Sequence, residues 1–181
     1  ININNAGVIA DGSMHEQTVD EWQNPIDVKL RGAFNVIPPF IRDWAKRFEE
    51  ARSYKALPEF EKPGTIVFVG SIVAKIVEDP EAEGNFVPRG NAKQSSYVAA
   101  NAGIMGLAQT IRREYDRRML TSVTVLPGFV TTRMTDTLPE AVKKMALRTL
   151  NGTALDPHEI AHEILNAGIY AQNGAVVEIV K

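Results

Sequence analysis

The chain has 181 residues, 44% of them hydrophobic and 23% charged, which suits a single soluble domain able to bury a real core. Its 20 basic and 22 acidic side chains leave a net charge of −2, with no basic footprint for nucleic acid and no polybasic membrane signal. There is no cysteine, which excludes disulfides, thiolate catalysis and cysteine-based zinc sites, and no apolar run approaches membrane-spanning length. The expectation is a cytoplasmic protein with neither nucleic-acid nor membrane partners.

The chain starts without methionine inside a strand-like run, Ile1 to Gly7, so the front of a larger domain is expected to be missing. Thr18-Val-Asp-Glu21 is a helix start, with a threonine cap and a glutamate at the capping-box position. From Asp27 the apolar residues Leu30, Phe34, Ile37, Ile41, Trp44 and Phe48 recur in steps of three and four, predicting one buried face of a long helix kinked at Pro38-Pro39. A polar stretch over 52–63 turns at Lys62-Pro63-Gly64 into the strand Thr65–Val69. A long loop follows from Lys75 to Ser96, with an acidic run at Glu78 to Glu83; loops of that length are lids, binding loops or insertions. The spacing then predicts a small-residue helix over 97–117, a strand over 122–126, a helix over 139–150, a helix capped by Asp156-Pro157 that stops at Gly168, and a last strand over 175–180. Strands alternating with helices predict an α/β fold with a parallel sheet and right-handed crossovers, as a single domain over 1–181.

Two side chains carry the chemical expectation. Ser71 stands at the carboxyl end of the buried strand and Tyr97 on the first turn of the next helix. Those positions converge on the crevice where open α/β sheets bind ligands.

Several separated pieces together resemble the short-chain dehydrogenases/reductases. Asn4-Asn5-Ala6-Gly7 resembles the family's NNAG signature, Asp27-Val-Lys-Leu-Arg-Gly-Ala-Phe34 the opening of its interface helix, and Gly70-Ser71 its serine strand. Tyr97-Val-Ala-Ala-Asn101 falls at the family's Tyr-x-x-x-Lys, Pro127-Gly128-Phe-Val-Thr-Thr132 at its nicotinamide loop, and Asp156-Pro-His-Glu-Ile-Ala161 at a late helix start. The closest flavour is the 3-oxoacyl reductase and hydroxyacyl dehydrogenase branch. The resemblance implies a Rossmann-type three-layer sandwich lacking its N-terminal strands, NAD or NADP as cofactor, and an alcohol or ketone substrate. It also implies catalysis by Tyr97 as acid or base with Ser71 orienting the substrate oxygen. Asn5, Ala6, Gly7, Pro127, Gly128, Val130 and Thr132 would hold the cofactor. Helices 27–48 and 97–117 would pair in a homodimer or homotetramer.

The chain departs from that pattern in three places. The family lysine that favours the phenolate is here Asn101, which carries no charge. The family asparagine that props up the proton relay is here Lys29, as if the two residues were exchanged, so Lys29 is a candidate to restore the missing field. The glycine-rich pyrophosphate turn is absent altogether. The rival expectation is therefore a non-catalytic module kept for its dimer face. His158-Glu159-Ile-Ala-His162 matches a zinc-protease helix, but it lies behind the Asp156-Pro157 cap and lacks a third ligand at familiar spacing among His15, Glu163 and Glu178; no metal is expected.

Overall fold

The computed structural model describes residues 1–53, 63–78, 86–115, 119–148 and 153–180. In chain order the elements are β1 (Asn2–Asn4), α1 (Val19–Pro25), a π-helical segment (Ile26–Arg31), α2 (Gly32–Ser53) and β2 (Gly64–Val69). A short 3-10 turn (Ile72–Ala74) leads to the hairpin strands β3 (Ile76–Glu78) and β4 (Phe86–Pro88), then α3 (Ser95–Glu114) and β5 (Leu120–Pro127). The chain closes with α4 (Arg133–Asp136), α5 (Glu140–Arg148), α6 (Pro157–Tyr170) and β6 (Val176–Ile179).

The main sheet has four strands in the order β1-β2-β5-β6, and each neighbouring pair is parallel, as the alternation of strands and helices predicts. Every residue of β2 is buried. Because successive strand side chains point to opposite faces, Ile66 and Phe68 pack with Ala33, Ile37 and Ile41 of α2 and Ile104, Ala108 and Ile111 of α3. Val67 and Val69 pack on the other face with Ile160, Ile164 and Ala167 of α6. The result is a Rossmann-like sandwich of helix, sheet and helix. Phe68 is fully buried at its centre, and truncating such a ring to alanine costs about 3–5 kcal/mol.

The expected start at Thr18 is present: its hydroxyl accepts from the Glu21 N–H, and Glu21 reaches back to the Thr18 N–H at 2.9 Å. The helix begun there continues through the π segment into α2, which runs unbroken past Pro38-Pro39. The wide π turns shift the phase of the buried stripe. It runs Lys29, Ala33, Ile37 and Ile41, while Phe34, expected inside, is 60% exposed.

Two other expectations need correcting. The long loop after Lys75 contains the antiparallel β3–β4 hairpin, with Val77 opposite Val87. Gly168 does not stop α6, which continues to Tyr170. A Cβ at Gly168 would stand 3.0 Å from Val67 Cγ2 and 3.4 Å from Ile1 Cγ2, so the missing side chain serves close packing of helix on sheet. The Asp156 cap holds, with its carboxylate accepting from the N–H groups of His158 at 2.8 Å and Glu159 at 3.3 Å. Most of the polar stretch before β2, most of the acidic run and the end of the helix after Pro139 lie outside the described residues.

Candidate active site

The carboxyl ends of β1, β2 and β5 open onto a crevice of about 1000 Å³. Ser71, Tyr97, Lys29, Asn5, Ala6, Gly7, Pro127, Gly128, Val130 and Thr132 all line it. Of the predicted residues, Asn101 alone is off the wall: it is fully buried behind Tyr97.

Ser71 leaves β2 in extended conformation and caps the following 3-10 turn, its Oγ accepting weakly from the Val73 N–H at 3.5 Å. Tyr97 is the third residue of α3, and its phenol shares the crevice with the Ser71 hydroxyl, near enough for Ser71 to influence the phenol's pKa. Burial raises the Tyr97 pKa above the usual phenol value; hydrogen bonding from Ser71 and, more weakly, Asn101 pulls it back, and the Asp11 carboxylate pushes it up again. The Asn101 amide is otherwise engaged, its Nδ2 donating to the Tyr97 carbonyl at 2.7 Å, while its buried Oδ1 has no hydrogen-bond partner. No positive charge is among the groups that shift Tyr97.

Lys29 comes to the crevice from the π segment. Such segments are uncommon and are found frequently at functional sites, because the extra residue per turn re-aims a side chain. Lys29 is 7% exposed, and its Nζ donates to the Val69 carbonyl at 2.8 Å, two residues before Ser71. Burial lowers its pKa from 10.5 to about 8. Gly7 makes room for it: a Cβ there would stand 3.0 Å from Lys29 Cε and 3.2 Å from Nζ.

The third wall follows β5. The Gly128 N–H donates to the Ile179 carbonyl at 2.9 Å, and Val130 bridges to Leu155, so the loop is held against β6 and the start of α6. Thr132 caps α4 in a box with Thr135, so its hydroxyl has a structural task as well as a place on the wall.

Arg89, Asn91, Gln94 and Arg133 also line the crevice, and the motif reading did not single them out. Gln94 Nε2 donates to both Asp11 carboxylate oxygens, at 3.1 and 3.2 Å, and Asn91 Nδ2 donates to Gln94 Oε1 at 2.8 Å. Gln94 stands three residues before Tyr97, which is a usable signal; Asp11 is in a polar loop 83 residues from Gln94, which nothing local betrays. His158 and His162 are exposed on α6, and Glu178 pairs with Lys75 at 2.7 Å. Among the described residues no three metal-ligating side chains cluster.

A family described as short chain dehydrogenase has a model that matches residues 1–143. The chain belongs to that family. Curated relatives in it include the 3-oxoacyl-[acyl-carrier-protein] reductase of Staphylococcus aureus, 31% identical over 147 residues that cover 80% of this chain and 48% of the relative. The Thermotoga maritima protein of the same description is 30% identical over 164 residues, 90% of this chain and 56% of the relative. The chain thus spans about half the length of the curated relatives it matches. A solved structure from Agrobacterium tumefaciens, provisionally described as a 2-deoxy-D-gluconate 3-dehydrogenase with bound NADP, superposes with a TM-score of 0.75 at 22% identity. That match covers 98% of this chain and 64% of the other, and it shows a shared short-chain dehydrogenase fold.

Proposed function

We propose that this chain forms the substrate and nicotinamide side of an NAD(P)-dependent oxidoreductase that interconverts an alcohol and a ketone. The observation that carries the proposal is that the Ser71 hydroxyl and the Tyr97 phenol share a crevice also lined by Gly7 and Gly128, with Ser71 near enough to lower the phenol's pKa. The residues present fit the nicotinamide end of the cofactor. The strand-end backbone from Asn5 to Gly7 and from Pro127 to Val130 flanks an opening of about 1000 Å³, and Gly7 leaves room there for the Lys29 side chain. Thr132 stands at the rim. No glycine-rich turn for the pyrophosphate occurs in the sequence, so the chain offers a hold on one end only.

Bound, the nicotinamide supplies or accepts the hydride. Ser71 donates to the substrate oxygen and fixes it before Tyr97. In reduction the Tyr97 Oη gives its proton to that oxygen; in oxidation it takes the proton back. The phenol's raised pKa keeps Tyr97 protonated at neutral pH, which suits the acid role better than the base role. The substrate class follows the curated relatives: a ketone of the 3-oxoacyl type. Residues 1–181 act as one domain in the cytoplasm and pair with a second copy through α2 and α3; exposed Phe34 and Val36 on α2 favour that face.

The test is equilibrium binding of NADH and NADPH, followed by reduction of acetoacetyl-coenzyme A. Nucleotide binding, together with a turnover that Ser71→Ala and Tyr97→Phe abolish, supports the reading. A chain that binds neither nucleotide and still dimerises supports the second reading, an interaction module without catalysis. Asn101 in place of a cation beside Tyr97 favours that second reading.

A further inference from the structure

Among the described residues Lys29 is the one charged side chain that is buried. An ammonium has three donors, and Lys29 Nζ spends one on the Val69 carbonyl at 2.8 Å while lining the crevice. The others are available to a ligand or a water held there. A bare structural anchor would not need an amine: desolvating a charge is costly, and a neutral donor could bond the same carbonyl.

The phenol on the same crevice has the complementary need. Tyr97 is surrounded by the neutral Ser71 and Asn101 and by the negative Asp11. Once it has released a proton to a substrate oxygen, nothing beside it on α3 can stabilise or refill the phenolate.

We propose that Lys29 is the proton reservoir of this site, a positioning residue whose ammonium refills the Tyr97 phenol through the Ser71 hydroxyl or one bridging water. The proposal rests on the reading of Tyr97 and Ser71 given above. In reduction one proton passes from Tyr97 Oη to the substrate oxygen, one from Lys29 Nζ to the Tyr97 phenolate, and one from solvent to the Lys29 amine. In oxidation the same three transfers run backwards. The direction is favourable, because the amine gives up its proton at about 8 whereas the phenol holds its own above the ordinary tyrosine value. The other titratable groups around the crevice do not compete for this task. Arg89 and Arg133 line it from exposed positions, and Asp11 is tied to Gln94. Asp27 and Arg31 on the π segment pair with each other at 3.4 Å, and on α1 Asp20 and Glu21 are exposed, with Glu21 bound to Thr18.

The experiment has two arms on the full chain. In the first, the lysine ε-methylenes are followed by carbon-13 NMR against pH, with Lys29→Met assigning the signal. One signal is expected to titrate near 8; a Lys29 midpoint at the ordinary lysine value overturns the proposal. In the second, ketone reduction is measured against pH. The wild-type rate is expected to fall as pH rises through the same midpoint, and Lys29→Met to lose that limb together with at least ~10-fold in rate at neutral pH. A Lys29→Met enzyme with the wild-type rate and the same limb overturns the proposal and leaves the Tyr97 reading intact. A wild-type chain inert toward every ketone with both nucleotides overturns the Tyr97 reading instead. If Lys29→Met does not fold, the amine's midpoint is assigned by Lys29→Arg, and the wild-type rate profile still decides.

Discussion

The two walls of the crevice solve the same electrostatic problem in opposite senses. On one wall the end of β2 and the start of α3 bring Ser71 and Tyr97 together; on the other the π segment and the end of β1 bring Lys29 against Gly7. Burial disfavours charge on both, so it raises the acid and lowers the base. The phenol is thereby locked in its neutral form near pH 7, while the amine is brought to the edge of its titration. The group able to change charge in the physiological range comes to the crevice on a different element from the proposed acid. The largest expected effect isolates the first wall: Tyr97→Phe removes the Oη and should lower ketone turnover by about 100-fold or more without weakening nucleotide binding. Turnover within a few-fold of wild type, measured at saturating ketone, would move the chemistry off Tyr97.

The second wall is broken by stability rather than by rate. Lys29 titrates at about 8 when folded and near 10.5 when exposed, so the unfolded chain binds the extra proton between those values. Unfolding free energy should therefore rise with pH across that window, by up to about 3 kcal/mol, because the native state has released its proton and no longer carries a buried charge while the unfolded chain still holds one. Lys29→Met should flatten that rise and be more stable than wild type at pH 7 by an amount of similar order. Urea unfolding between pH 7 and 9.5, below the tyrosine range, reads the difference. Parallel wild-type and Lys29→Met curves would mean that Lys29 is not desolvated in solution.

Much of this geometry was legible in the sequence, for reasons that differ by element. β2 is buried throughout and reads as a nearly continuous apolar run, and β5 is legible from its β-branched residues although Thr121, Ser122 and Thr124 interrupt its apolar run; the caps at Thr18 and Asp156 are local hydrogen bonds written in adjacent residues. That Ser71 and Tyr97 share the crevice was legible because each is at an element end, where topology fixes direction. The π segment was not legible, since Pro25 before it signals a break but not the wide turns that follow, and the step pattern from Leu30 therefore points Phe34 inward. Gly168 misled because a helix-stopping glycine and a close-packing glycine look alike without the opposing Val67. The Asp11–Gln94 contact was invisible for the plainest reason, sequence distance.

A smaller effect tests how the walls are spaced. Gly7→Ala places a methyl 3.0 Å from Lys29 Cε and 3.2 Å from Nζ, closer than relaxed packing allows. The lysine end is flexible, so it should yield at a cost of about 1 kcal/mol, and its hydrogen bond to Val69 should lengthen. The expected signature is a shift of the Lys29 NMR midpoint toward the ordinary lysine value as the amine moves outward. An unmoved midpoint would place Gly7 further from Lys29 than the structure has it.

The smallest effect lies behind Tyr97. The Asp11 carboxylate is partly desolvated, which raises its own pKa, and its charge is the least of the influences raising that of the phenol. Asp11→Asn removes the charge and leaves an amide oxygen able to accept from Gln94 Nε2, so the loop should keep its place while the field on Tyr97 relaxes. The Tyr97 midpoint should therefore fall, read as tyrosinate absorbance against alkaline pH with Tyr97→Phe subtracting the other three of the four tyrosines. The fall should be modest, because desolvation, the larger cause, is untouched. In oxidation, where Tyr97 must act as base, Asp11→Asn should raise the rate at neutral pH; in reduction it should change it little. A midpoint that rises would show that Asp11 reaches Tyr97 through Gln94 and the start of α3, by position and not by charge.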